Sequence, residues 1–121
     1  MRSTIDALNS FLQGYGLPVY PSDSVPDNAS VPYLTAPLTE PEWDMPASWY
    51  IQGWYRTQDN VSLIAKADQI VADIGDGTRI PCDGGCVTIY PQSPLVQFLT
   101  DGDYRSFYIN LQINAYHLPG V

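Results

Sequence analysis

Positively charged residues are the scarcest feature of this sequence. Among 121 residues, 13 are Asp or Glu and only 5 are Lys or Arg, which gives a formal net charge of −8. The cations are one lysine and four arginines, Lys66, Arg2, Arg56, Arg79 and Arg105. A nucleic-acid surface needs clustered cations that neutralise phosphates, and anionic membranes attract basic segments. The composition therefore argues against a protein that grips nucleic acid or an anionic membrane.

Histidine and cysteine are almost as rare, with one His and two Cys. Nucleophilic catalysis needs a base beside the nucleophile, and the one histidine, His117, lies close to the C-terminus. A structural zinc site needs four Cys or His ligands, whereas Cys82 and Cys86 stand alone. A disulfide between them depends on strand register and on an oxidising compartment, so we expect free thiols. A metal shared between subunits is the alternative.

Carboxylates are abundant, but their pattern predicts no reaction. Glu40, Glu42 and Asp44 surround Trp43, and a second group lies in the turn at 101–103. A glycosidase needs two carboxylates in a cleft, one of them with a raised pKa, and the 101–103 turn lacks the regular loop of an EF-hand. We therefore expect no enzyme, no catalytic residue, no cofactor and no bound metal.

Long hydrophobic runs are also absent. Polar residues and prolines interrupt every apolar stretch well short of the ~20 residues that a membrane-spanning helix needs. The N-terminus reaches Asp6 before any hydrophobic run begins, so we expect no signal peptide.

Aromatic residues, proline and glycine are plentiful instead. The chain has 9 Tyr, 3 Trp, 11 Pro and 9 Gly. Tyr and Trp are favoured at protein interfaces and Lys is depleted there. The same composition is ordinary for a small β-rich domain, so both interpretations stay open. The length fits a single domain, 1–121.

The first half of the chain predicts one helix and three strands. Ser3, Asp6 and the spacing of Ile5, Leu8, Phe11 and Leu12 indicate a helix over 3–14, which Gly14 and Gly16 end. Strands are expected at 17–20, 31–38 and 47–57, with a polar loop at 21–30. Because prolines interrupt 31–38, that strand is expected at a sheet edge or to end early.

The strand at 47–57 is aromatic on both faces. Alternation places Trp49, Ile51, Gly53 and Tyr55 on one face, and Tyr50, Gln52, Trp54 and Arg56 on the other. A sheet with one solvated face has a polar outer side. We therefore expect a helix or a partner subunit to cover the second face.

The second half predicts another helix and about four strands. Asp59 or Asn60 caps a helix that ends at Gly75, with an apolar stripe of Ile64, Ala67, Val71 and Ile74 flanked by Leu63 and Ile70. One hairpin joins 79–82 to 86–90, and another joins 95–100 to 104–118. The element order predicts an α+β fold, a mainly antiparallel sheet with two helices packed on one face.

The order of these segments resembles a known family. A short helix ending in glycine precedes a Pro-Val-Tyr strand. Further along lie the segments Val25-Pro26-Asp27, Pro37-Leu38-Thr39-Glu40-Pro41-Glu42-Trp43 and Ile74-Gly75-Asp76-Gly77. This layout is similar to the tail terminator, or tail-completion, proteins of long-tailed bacteriophages, a group that includes minor capsid and minor tail proteins. The resemblance covers nearly the whole chain, although its motifs are mostly turn and strand signatures.

The resemblance implies a structural virion protein made in the host cytoplasm. Such a protein forms a homo-oligomeric ring, usually a hexamer, on the last ring of the tail tube. The ring ends tube polymerisation and presents a surface to the head–tail connector, or neck, proteins. DNA passes through the ring without specific binding, which an acidic chain favours.

The candidate contact residues follow from these expectations. The loop 39–46 is expected to contact the tube or the neck, and the aromatic strands are expected to contact neighbouring subunits or to pack within the subunit. The candidates are Glu40, Glu42, Trp43, Asp44, Trp49, Trp54, Tyr104, Tyr108 and Tyr116. Two other functions are open: another neck component, such as a head-completion or stopper protein, and a carbohydrate-binding module.

Overall fold

The computed structural model describes residues 3–118. The first two and last three residues, the ends of the expected domain 1–121, lie outside the described part. The elements are α1 (Thr4–Gln13), β1 (Val19–Pro21), β2 (Tyr33–Ala36), β3 (Pro46–Arg56), α2 (Asn60–Ile74), β4 (Thr78–Cys82), β5 (Gly85–Asp101) and β6 (Tyr104–His117). None of the helices in residues 3–118 is long and apolar enough to cross a membrane.

Helix α1 begins and ends where local chemistry predicts. The Ser3 side chain accepts a hydrogen bond from the Asp6 backbone N–H, at 3.1 Å, and satisfies one donor of the first turn. Gly14 follows the last helical residue. Ala7, Leu8 and Leu12 are buried, so α1 is amphipathic and faces the sheet.

Helix α2 has the expected bounds but a rotated apolar face. The buried residues are Leu63, Ala67, Ile70 and Ile74, whereas Ile64 is 39% exposed. Ala67 and Ile74 of the predicted stripe are buried and Val71 packs against the core, so the prediction was wrong at Ile64. The core-facing side consists of residues spaced four, three and four apart, Leu63, Ala67, Ile70 and Ile74, because the sheet contacts that side of the helix.

Six strands form one curled sheet in the order β1-β2-β3-β6-β5-β4. Strands β1 and β2 are parallel, and every other neighbouring pair is antiparallel. The fold is therefore α+β, as expected. The 31–38 segment ends early, as its prolines predicted, but β2 lies between β1 and β3 and not at an edge.

The last part of the chain forms fewer strands than expected. Residues 86–90 and 95–100 belong to one continuous strand, β5, which pairs with β6 along most of its length. An irregularity between Pro91 and Val96 shifts the register within this pair. Both halves of β5 pair with β6, and these pairings keep the two halves in one strand. The turn residues between the halves could not indicate this continuity.

One hydrophobic core lies between the helices and one face of the sheet. It contains the buried residues of both helices together with the inward residues of the long strands, among them Trp49, Ile51, Phe107, Ile109, Leu111 and Ile113. Trp49 is 3% exposed, and its indole N–H donates to the Pro37 carbonyl at 3.2 Å. The prediction that Trp49 is a surface contact is therefore wrong, because its strand face is the one that the helices cover.

Candidate functional site

The 39–46 loop is attached to the end of the central strand β6. Trp43 forms an isolated bridge with Ala115, and the Asp44 backbone N–H donates to the Ala115 carbonyl at 2.6 Å. The Trp43 ring lies 5.2 Å from the His117 ring, tilted by 55°. Trp43 nevertheless keeps 40% of its surface exposed. The loop thus holds a large aromatic side chain in a fixed position at the molecular surface.

Further apolar side chains are exposed at this same end of the strands. Met45 is 55% exposed just before β3, and Leu118 is 47% exposed after β6. The Leu118 backbone N–H donates to the Gly84 carbonyl, so Leu118 lies beside the β4–β5 turn. We call the surface formed by Trp43, Met45 and Leu118 the Trp43 end.

Carboxylates border the Trp43 end. Glu40, Glu42 and Asp44 are exposed. Glu40 and Asp83 also line a cavity of about 200 Å³ with Trp43. No group of three or more His, Cys, Asp or Glu side chains within residues 3–118 is arranged to hold a metal ion. These carboxylates therefore form an acidic rim around an apolar centre.

A second group of exposed apolar side chains lies at the opposite end of the strands. Phe98 and Leu99 of β5 are 42% and 49% exposed, and Tyr104, which begins β6, is 40% exposed. A hydrogen bond from Arg105 to the Asn60 side chain attaches the start of α2 to this end. Val61 and Ile64, which follow Asn60 on α2, are exposed too. Phe98 pairs with the buried Phe107 on the helix side of the sheet, whereas Leu99 pairs with Ser106 on the other side, so these apolar residues lie on both sides of one end of the molecule. We call the exposed apolar residues of this end, Val61, Ile64, Phe98, Leu99 and Tyr104, the Tyr104 end.

The sheet face opposite the core, here called the open face, is aromatic and almost uncharged. Tyr50 and Tyr108 stack across β3 and β6, with ring centres 4.7 Å apart and planes 19° apart. The Tyr90 and Tyr116 hydroxyls lie 3.2 Å apart and share a hydrogen bond. Asn and Gln side chains fill the positions between them on β6. Within residues 3–118, both helices lie on the other face.

Three tyrosines of the open face, Tyr33, Tyr108 and Tyr116, have raised pKa values. Burial raises the pKa of Tyr33, and the neighbouring Tyr104 and Tyr20 raise it further. Burial and the stacked Tyr50 raise the pKa of Tyr108. The hydrogen bond with Tyr90 raises the pKa of Tyr116. Ionisation of these phenols is therefore delayed to more alkaline pH, and the face keeps its uncharged character.

Two cavities open on this side of the sheet. One of about 410 Å³ lies between the 26–31 loop and the strands, and its lining includes Tyr33, Trp54, Arg56, Asp101 and Tyr104. The Arg56 guanidinium carbon lies 5.6 Å from the Tyr104 ring centre, a cation–π arrangement. The other cavity, of about 440 Å³, lies near Arg79, Tyr90 and Tyr116.

The strand register explains why the two cysteines are free thiols. Cys82 pairs with Gly85, and Cys86 pairs with Pro81. Because neighbours along a strand alternate between faces, the two side chains point to opposite sides of the sheet. Burial raises the pKa of Cys82, and Cys86 and Asp83 raise it further, which keeps this thiol protonated.

The predicted contact residues therefore separate into three places. Glu40, Glu42, Trp43 and Asp44 lie together at one end, whereas Trp54, Tyr104, Tyr108 and Tyr116 are spread over the open face and the opposite end. Trp49 lies in the core. Sequence reasoning missed Val61, Ile64, Phe98 and Leu99. A signal was present for the last pair, because adjacent strand residues point to opposite faces and only one of them can face a single core.

The sequence matches no protein-family model and no curated protein.

Proposed function

We propose that this chain is a structural protein of a long-tailed bacteriophage that caps the tail tube as a ring. The ring ends tube polymerisation and provides the surface that joins the tail to the head connector. The observation that carries this proposal is the pair of separate exposed apolar surfaces, the Trp43 end and the Tyr104 end, at opposite ends of the same strands.

A protein placed between two stacked partners needs two such surfaces. The strand β6 has 14 residues and runs from one surface to the other, a distance of roughly 40 Å at the usual rise of a strand. Exposed apolar groups next to one another mark protein contacts more reliably than scattered ones do. One surface would meet the tube and the other the neck.

The charge distribution supports the passage of DNA. Most of the acidic side chains lie in loops and turns, with Asp6, Asp68 and Asp73 in the helices, and the net charge is −8. Repulsion between like charges keeps a DNA duplex from adhering to such a surface. The long strands contribute few charges, so they remain suited to contacts with protein.

The test is to add the purified protein to tail-tube protein during polymerisation. We expect the tubes to stop growing at shorter lengths and the added protein to be found at one tube end by electron microscopy. Tubes of unchanged length with no protein at their ends would contradict the proposal.

Another neck component is the alternative that shares this chemistry. A head-completion or stopper protein also lies between two partners and needs two contact surfaces. Electron microscopy of labelled virions separates the two, because a terminator lies at the tube end and a head-completion protein lies against the portal.

A carbohydrate-binding module is favoured by one observation. The cavity of about 410 Å³ has Tyr33, Trp54 and Tyr104 in its lining, with Asp27 and Asp101 beside them. Aromatic rings stack on sugars, and carboxylates accept hydrogen bonds from hydroxyl groups. A glycan array tests this function, and the absence of binding to any glycan eliminates it.

A further inference from the structure

The cavity of about 440 Å³ on the open face is built from three neighbouring strands. Pro81 of β4 pairs with Cys86 of β5, and Cys86 pairs in turn with Tyr116 of β6. Residues that pair directly across strands point to the same face, so these three side chains share one patch. The lining also includes Arg79, Gly85, Tyr90 and Leu118. We call this space the Arg79 cavity.

The charge of the Arg79 cavity is opposite to that of the chain. Among the described residues that line it, Arg79 is charged and none is acidic, although the net charge of the chain is −8. The cavity of about 410 Å³ also contains an arginine, Arg56, but Asp27 and Asp101 line it as well. The two cavities are similar in size, so their charge distinguishes them. The Arg79 cavity is the one that suits an anion.

The polar groups of the Arg79 cavity are hydrogen-bond donors without acceptors. A guanidinium group only donates, and no side-chain hydrogen bond within residues 3–118 involves Arg79. The Tyr90 and Tyr116 hydroxyls share one hydrogen bond at 3.2 Å. Whichever phenol donates it, the proton of the other has no acceptor in the described part of the chain. Spare donors of this kind favour a ligand group that accepts several hydrogen bonds.

Thr88 adds a buried hydroxyl next to these donors. Its side chain is 6% exposed, and its Oγ1 has no hydrogen-bond partner among the described residues. Thr88 pairs with Arg79, and it lies between Cys86 and Tyr90 on the same face of β5. Buried hydroxyls are normally hydrogen-bonded, so this one indicates a polar partner from outside the chain.

We propose that the Arg79 cavity binds a small carboxylate that has an aromatic or aliphatic body. The two carboxylate oxygens match the paired donors of the Arg79 guanidinium and can also accept the spare phenol proton. The remaining lining, Pro81, Cys86, Leu118 and the tyrosine rings, is apolar and suits the carbon body of the ligand. This site goes beyond the proposed role in a phage tail and does not depend on it.

Three probes that share one carbon skeleton test the class of ligand. Phenylacetate is anionic, phenylacetamide is neutral and phenethylamine is cationic. Each is titrated into the isotopically labelled full chain, and two-dimensional NMR reports both the affinity and the place of binding. We expect phenylacetate to bind most tightly, with a dissociation constant on the order of 1 mM, and to shift the signals of residues 79–90 and 116–118. The net charge of −8 alone would favour the amine.

Two sets of variants test the donors. Arg79→Gln should weaken the binding of phenylacetate at least about tenfold and change that of phenylacetamide by less than about twofold. Arg56→Gln is the matched control, because Arg56 is also exposed and lines a cavity of similar size, and it should leave phenylacetate binding unchanged. Tyr90→Phe combined with Tyr116→Phe keeps both rings and should weaken phenylacetate binding about threefold or more. Circular dichroism and thermal melting establish that each variant is folded.

Three results overturn the proposal. The first is a wild type that binds phenylacetate no more tightly than phenylacetamide or phenethylamine, and this comparison holds even if a variant fails to fold. The second is an Arg79→Gln variant that binds phenylacetate as tightly as Arg56→Gln does. The third is a set of shifted signals centred on Tyr33, Trp54 and Tyr104, which would place the probe in the other cavity.

The tube assay is a separate experiment. If phenylacetate does not bind while the wild type stops tube growth, the carboxylate site is wrong and the terminator role stands. If phenylacetate binds as expected but tubes are unaffected, the carboxylate site stands and the terminator role fails.

Discussion

At the scale of single residues, Tyr15 connects the two helices. Its hydroxyl donates a hydrogen bond to the Asp73 carboxylate of α2 at 2.8 Å, and its backbone carbonyl accepts one from the Lys66 ammonium at 3.2 Å. The ring also contacts Phe11 of α1 edge to face. Tyr15 lies two residues after the last residue of α1, so these bonds fix the end of the first helix to the second.

Removing the Tyr15 hydroxyl should weaken the fold measurably. Tyr15→Phe is expected to lower the free energy of unfolding by about 1–2 kcal/mol, because the bond is to a charged acceptor but lies partly within reach of water. Urea denaturation gives this value. Tyr50→Phe is the matched control, since Phe preserves the stack on Tyr108, and it should change stability by less than half as much.

The same pair predicts a dependence on alkaline pH. Burial, the hydrogen bond to Asp73 and its negative charge raise the pKa of Tyr15 far above its usual 10.0. A raised pKa in the folded state means that this stabilisation is complete below about pH 10 and is lost as the pH rises further. The difference between wild type and Tyr15→Phe should therefore shrink above pH 10. A difference that grows there would contradict the assignment.

Trp43 is the residue on which the proposed function can be tested most directly. Trp43→Ala should reduce the joining of free tails to filled heads about tenfold or more. The reason is that a tryptophan that anchors a contact surface contributes about 2 kcal/mol or more to binding. Its loop is held by backbone bonds to Ala115, so the monomer should remain folded. Particle counts by electron microscopy measure the joining.

The control for this experiment is a change at the other end of the strands. Ile64→Ala removes exposed apolar surface from the Tyr104 end and should affect the opposite junction. If the Trp43→Ala variant joins heads and tails as well as the wild type does, Trp43 is not part of the contact surface. Equal losses at both junctions for both variants would indicate that the two ends do not have separate partners.

At the scale of elements, the pairing of β3 with β6 depends on Gly53. Gly53 pairs with Phe107, and the Phe107 ring occupies the space where a side chain at 53 would lie. Phe107 is fully buried. A small residue on β3 therefore makes room for a large one on β6, and this fixes the register in which the two strands pair.

Gly53→Ala should be destabilising for this reason. We expect a loss of about 1–3 kcal/mol in the free energy of unfolding, the usual cost of overpacking a core. Phe107→Leu removes the ring atoms that would collide, so the double variant Gly53→Ala with Phe107→Leu should be more stable than the sum of the single changes. Strict additivity in urea denaturation would show that the two positions are not coupled.

At the scale of the whole molecule, net charge opposes self-association while the strands favour it. A chain at −8 repels its copies, and the repulsion is screened over about 8 Å at physiological ionic strength. We therefore expect a monomer or a weakly associating protein at micromolar concentration, which for the proposed ring would prevent closure away from a tube end.

Salt should strengthen this association. Sedimentation velocity from low to high ionic strength is expected to show larger species as salt increases, because screening removes the repulsion between copies and leaves contacts through the nearly uncharged strands intact. Light scattering that finds only stable hexamers at micromolar concentration and low salt contradicts this expectation. Weaker association at high salt would mean that opposite charges hold the copies together.

The sequence alone determined the features that depend on neighbouring residues. Ser3 and Gly14 bound α1, alternation gave β3 and β6 with the correct faces, and a fold with both helices on one side followed from the order of elements. The surface positions of Trp43 and Tyr104 could also be predicted, because both lie next to turns. Caps, turns and strand alternation depend on a few neighbouring residues, so they can be recognised without knowledge of the rest of the chain.

Only the tertiary structure decided which strand face the helices cover, and with it the burial of Trp49 and the partial exposure of Trp54. It also rotated the face of α2, so that Ile64 became exposed, and joined two predicted strands into β5. It also left residues 95–100 without a strand on the side away from β6, because β4 pairs with β5 only as far as Ile89 and β6 continues to Asp101. These features depend on pairings between residues far apart in the chain, and no local sequence pattern shows which strand will be left unpaired on one side.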